Sequence, residues 1–181
     1  MAEIIYAPGL GGESVIARQR RYVEFLNRHR DRQIYFFDPR WQTKEPAKEK
    51  LQRLHTAYEA AGRPNKIVGV SAGATMAVIL GALNPSAEIE TFAGKHRDSS
   101  TLGEERRSRA PALAEFVDMS QNILETEPHV IARLTSRRPI LFDGVVPHKD
   151  IYIPGADNKF LLLPFHSSGI YAGLLLNLPR L

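Results

Sequence analysis

The sequence predicts an α/β fold, with a mainly parallel six-stranded sheet and helices on both faces. Short β-branched or aromatic runs alternate with longer segments of helical period, the pattern of strands joined by crossover helices. Several of these runs are apolar without alternation, as expected of strands covered on both sides. The chain has 181 residues and 43% apolar content, enough to bury a sizeable core. A single domain over residues 1–181 is therefore expected, with no repeat, low-complexity tract or linker.

The first strands are "EIIYA" (3–7) and "QIYFF" (33–37). Between them, from about Ser14 to Arg30, Ile16, Tyr22, Val23, Phe25 and Leu26 lie among charges, which describes a helix with a buried stripe and a solvated face. A helix over Lys48 to Ala61 leads into the third strand, "KIVGV" (66–70), and a helix over Ala72 to Leu83 leaves it. Then follow the strand "AEIETFAG" (87–94) and amphipathic helices around Glu104 to Val117 and Ser120 to Leu134. The strands "RPILFD" (138–143) and "KFLLLPF" (159–165) come next, then a last helix from about Ser168 to Asn177. The interval from Lys95 to Arg137 holds 43 residues, which two helices and short connections nearly fill. No separate cap domain is expected, and the site should be open.

Composition removes several classes of function. The chain has no cysteine, which excludes disulfides and thiolate metal sites, and no two histidines have the spacing of a metal-binding helix. Neither a metal nor a cofactor is predicted. No apolar run approaches the roughly 20 residues of a membrane span. The net charge of +4 comes from scattered arginines, and no nucleic-acid motif accompanies the densest basic run, so no nucleic-acid partner is expected. The start "MAEIIYAPGL" has no signal-peptide pattern, and a cytoplasmic protein is expected; a secreted chain already processed would read the same.

Chemistry enters at "GVSAG", where Gly69, Val70, Ser71, Ala72 and Gly73 spell G-x-S-x-G between a strand and a helix. A serine on a sharp strand-to-helix turn needs small neighbours, so that the helix and strand approach closely and the hydroxyl projects. A plain turn and helix cap would use the same residue types; the placement favours a nucleophile. A serine hydroxyl needs a base, and the base an orienting acid. Asp143 ends "RPILFD" and His166 follows "KFLLLPF", so both stand at carboxyl ends of predicted strands, on the same sheet edge as Ser71. Asp150 is the nearest rival acid, seven residues further on. An oxyanion hole requires two backbone N–H groups. Ala72, at the start of the helix after Ser71, supplies one, and the glycine-rich "YAPGLGGES" after the first strand is placed to supply the other. That loop lacks the G-x-G-x-x-G dinucleotide pattern, since Ser14 stands at its last position.

Together these residues resemble the α/β-hydrolase superfamily, in particular its small members without an inserted lid, such as minimal bacterial lipases and compact serine hydrolases. "APGLGG" matches the oxyanion loop, "GVSAG" the elbow, "FDGVVP" the acid turn and "PFHSSG" the histidine loop, so the likeness covers nearly the whole chain. The resemblance implies Leu10 as the second oxyanion amide. Pro8 stands where many relatives have histidine, but the amide rather than that side chain does the work. The expected activity is cleavage of an acyl ester or thioester through Ser71, His166 and Asp143 and an acyl-enzyme, with a small acyl compound as the substrate. The competing reading is a hydrolase-fold binding protein without activity. The sequence sets neither the acyl group nor the oligomeric state, and Trp41, beyond the second strand, is expected to pack rather than to touch substrate.

Overall fold

The computed structural model describes residues 1–29, 33–139 and 145–161. Its elements are β1 (Ile4–Ala7), α1 (Glu13–His29), β2 (Ile34–Phe36), α2 (Ala47–Ala60), β3 (Lys66–Val70), α3 (Gly73–Leu83) and β4 (Glu88–Phe92). After them come α4 (Glu104–Arg109), α5 (Leu113–Thr126), α6 (Pro128–Ile131), β5 (Leu134–Pro139), α7 (His148–Ile151) and β6 (Asp157–Leu161). The strands form one six-stranded sheet in the order β2-β1-β3-β4-β5-β6. Every pair is parallel. The chain steps outward from β1 to β2, returns past β1 to β3, and then advances the other way. At that reversal β1 and β3 are neighbours, with Ala7 opposite Gly69, and their following loops meet at the carboxyl end of the sheet.

The two-residue period of the strands divides the core. Ile5, Ala7, Ile67 and Ile89 face one side, where Leu54 of α2, Met76 and Leu80 of α3, and Phe116 and Val117 of α5 pack on them. Ile4, Tyr6, Val68 and Val70 face the other, covered by Val23 and Leu26 of α1. Helices thus lie on both faces. Helix α3 is buried from Gly73 to Gly81, which is why its sequence is apolar all round.

The helices between β4 and β5 are divided differently from the expected pair. Pro111 disfavours the helical region for the residue before it, and Ala110 accordingly stands at φ −142°, ψ 77°, so α4 stops at Arg109. Helix α5 then runs through positions 118–119, expected to be a break, because Leu113, Phe116, Val117, Ser120 and Leu124 form one continuous buried stripe. Pro128 opens α6 in place of the continuation to Leu134. Helix α5 therefore belongs to the layer covering the sheet, whereas α4 buries no residue.

Strand β5 begins at Leu134, four residues before the expected start. Its sequence, "LTSRRP", is polar, but it pairs with β4 from Ile89 opposite Leu134 to Phe92 opposite Arg137. That register brings Arg137 onto the buried Glu90, which Lys66 of β3 also meets at 2.6 Å. A cross-strand ion cluster compensates the polar strand, and no local periodicity announces it. Asp143, His166 and the helix expected from Ser168 to Asn177 lie outside the described residues.

Candidate active site

The sheet brings two short segments together: the loop after β1 and the turn after β3. Ser71 sits on that turn with φ +51°, a left-handed conformation that non-glycine residues adopt at a cost of about 1–3 kcal/mol. The surroundings hold it there. Its N–H donates to the Phe92 carbonyl at 2.8 Å, and its carbonyl accepts from the Ala74 N–H at 3.1 Å. The Thr75 hydroxyl donates to the Ala72 carbonyl at 2.8 Å, closing the first turn of α3. Gly69 and Gly73 are required by close approach rather than by φ. A Cβ on Gly69 would stand 2.6 Å from the Ala74 Cα, and one on Gly73 would stand 2.6 Å from the Pro8 carbonyl oxygen. Both glycines of the G-x-S-x-G pattern therefore let the helix, the strand and the neighbouring loop converge on Ser71.

Ser71 lines a cleft of about 600 Å³ together with Leu10 and Ala72. Neither the Leu10 nor the Ala72 amide donates a backbone hydrogen bond to another described residue. Ala72 immediately precedes α3, where unpaired amides and the helix dipole favour negative charge. The β1 loop is held from outside by the segment after β2. Trp41 is fully buried, its indole N–H donates to the Pro8 carbonyl at 3.3 Å, and its ring meets Phe116 edge-on with centroids 5.7 Å apart. Trp41 packs and braces the loop. Its neighbour Gln42 lines the cleft and donates to the Gly11 carbonyl. That segment is itself anchored by the buried Lys50, whose ammonium donates to the Arg40 carbonyl and the Thr43 hydroxyl, each at 2.7 Å.

Apart from Val145 and Val146 of "FDGVVP", the rest of the cleft comes from chain that the motifs do not mark. Leu102, Leu113, Val145 and Val146 provide apolar wall, and Lys95, Glu105, Arg106 and Arg109 provide charge. Lys95 is tied down by Asp150, with a buried ion pair at 2.7 Å, and it also donates to the Thr101 hydroxyl at 2.7 Å. The rival acid Asp150 is thus committed to a lysine. None of the five described histidines lines the cleft. His96, which follows β4, is fully buried with Nδ1 3.2 Å from the Ser120 hydroxyl. Burial, aided by the nearby Arg97 charge, holds its pKa down to about 3. An imidazole of such low basicity is unsuited to deprotonating a serine.

That depression has a consequence for stability. The unfolded chain takes up a proton at His96 near pH 6.5, whereas the folded chain resists it down to about 3. Stability is therefore full above pH 6.5 and falls by roughly 1.4 kcal/mol per pH unit between those values. Urea unfolding at pH 7 and pH 5 should differ by about 2 kcal/mol from this group, and His96→Gln should remove most of the difference. An unchanged difference in the variant would assign the acid sensitivity elsewhere.

No protein-family profile matches the chain, and no curated protein sequence does. Solved structures do resemble it. A metagenome-derived lipolytic enzyme superposes with a TM-score of 0.65 at 14% identity, over 96% of this chain and 92% of the other. A monoacylglycerol lipase of Paleococcus ferrophilus gives 0.63 at 12% identity, over 97% and 94%. The esterase domain of a Rhodothermus marinus protein gives 0.66 at 14% identity, over 96% and 82%.

Proposed function

Because the chain has the α/β-hydrolase fold, we propose that it is a serine hydrolase that cleaves an acyl ester or thioester, with Ser71 as nucleophile. The observation that carries this reading is the strained Ser71 turn at the carboxyl end of β3, opening into a cleft that Leu10 and Ala72 also line. A hydroxyl so held is accessible, and two amides flank the space where a carbonyl oxygen would gain charge. His166 takes the Ser71 proton as Oγ attacks the acyl carbon, and returns it to the departing alcohol or thiol. Water, deprotonated by His166, then cleaves the acyl-enzyme and releases the acid. Asp143 holds the imidazole in the required tautomer. The assignment of the base to His166 is supported by elimination, since no described histidine lines the cleft and His96 is held neutral by burial. Asp143 is favoured over Asp150 because the latter is engaged with Lys95.

The test is covalent labelling. A fluorophosphonate should add one phosphonyl group to the wild-type chain, on the peptide containing Ser71, and none to Ser71→Ala. A folded wild-type protein that resists the reagent would favour the binding-protein reading instead.

A further inference from the structure

The charges of the cleft are unevenly committed. Lys95 is neutralised by Asp150, and Arg109 pairs with Glu105 at 2.9 Å one turn away on α4. Arg107 donates to the Leu102 carbonyl at 2.9 Å and the Ser99 carbonyl at 2.7 Å, fastening the segment before the helix. Arg106 differs. It is half-buried and lines the same cleft as Ser71, and its guanidinium has no hydrogen bond or ion pair among the described residues. Leu102, Leu113 and Val146 supply apolar surface to the same cleft. A partly desolvated cation beside apolar walls gains most from an anion that brings its own charge into the cleft.

Resting on the serine hydrolase reading, we propose that the acyl chain of the substrate ends in a carboxylate, which Arg106 binds while the ester carbonyl lies at Ser71. The planar guanidinium matches a carboxylate with two parallel hydrogen bonds, a geometry that a neutral acyl tail cannot satisfy. A cleft of about 600 Å³ is roughly 10 Å across. That width suits short dicarboxylic half-esters of about four to six carbons rather than long fatty chains.

The experiment compares 4-nitrophenyl hydrogen glutarate with 4-nitrophenyl pentanoate, esters of equal chain length that differ in the terminal charge. Calorimetry of methyl hydrogen glutarate and the neutral methyl pentanoate with Ser71→Ala reads the subsite without turnover. Wild type should prefer the anionic ester by about tenfold or more in kcat/KM, and Arg106→Ala should erase that preference. Arg106→Glu should reverse it. Methyl hydrogen glutarate should bind Ser71→Ala measurably more tightly than methyl pentanoate, and the Ser71→Ala/Arg106→Ala double variant should lose the difference. Ser71-dependent hydrolysis without preference for the anionic ester, together with equal binding of the two methyl esters, overturns the subsite and leaves the hydrolase reading standing. Arg106-dependent binding of methyl hydrogen glutarate without hydrolysis of either nitrophenyl ester sustains the subsite and overturns the hydrolase reading. Equal binding without hydrolysis overturns both.

Discussion

Ser71→Ala is expected to lower kcat/KM for a soluble short-chain ester by at least about a thousandfold, leaving the residual rate that binding and the amides alone provide. The size of the loss follows from what the proposed mechanism asks of the hydroxyl. Without Oγ no acyl-enzyme forms, and the single difficult attack by water is no longer divided into two easier steps. The fold should survive, because the strained backbone of the turn is held by the Phe92 and Ala74 bonds and by the close approach at Gly69 and Gly73. Alanine also tolerates the left-handed conformation about as well as serine does. Circular dichroism and the urea midpoint should therefore stay close to wild type while turnover disappears. Wild-type turnover in the alanine variant would remove the mechanism.

The second large effect separates the acid from its rival. His166→Ala and Asp143→Asn should each reduce kcat by about three to four orders of magnitude, and combining either with Ser71→Ala should add little, since members of the proposed triad would act as a unit. Asp150→Asn should behave in the opposite way. Its carboxylate neutralises the buried Lys95, so removing the charge should destabilise the protein by about 3 kcal/mol while the folded fraction keeps most of its turnover. The decisive measurement is kcat per folded molecule, with the folded fraction taken from a denaturation curve at the same temperature. Loss of chemistry in Asp150→Asn alongside a fully active Asp143→Asn would exchange their roles.

These expectations were legible in the chain to different degrees. The elbow was the most legible, because its requirements are local: a strand, a serine and two residues without bulky side chains at fixed offsets. Gly69 and Gly73 meet Ala74 and Pro8 as that logic demands. The alternation of strands and helices was equally plain, and the described residues form one parallel sheet of six strands, the fifth displaced from its expected bounds. Proline chemistry also marks boundaries locally, since Pro111 and Pro128 stand at the helix boundaries between β4 and β5. Strand β5 was hidden for a better reason, because what makes "LTSRRP" a strand is Glu90 on its neighbour.

By itself the sequence determined that an α/β sheet presents Ser71 at a strand end, through steric rules that act over a few residues. Only the tertiary structure decided what surrounds that serine. The reversal of strand order between β1 and β3 places Leu10 in the same cleft as Ala72. Burial of Trp41, an aromatic expected only to pack, makes it the brace of that loop. Lys95 meets an aspartate 55 residues away, and α4 brings Arg106 to the cleft from outside every motif. Contacts of this kind are selected by packing, because the free energy of burying a charge or an indole depends on which distant residues arrive to meet it, and local sequence does not encode their arrival.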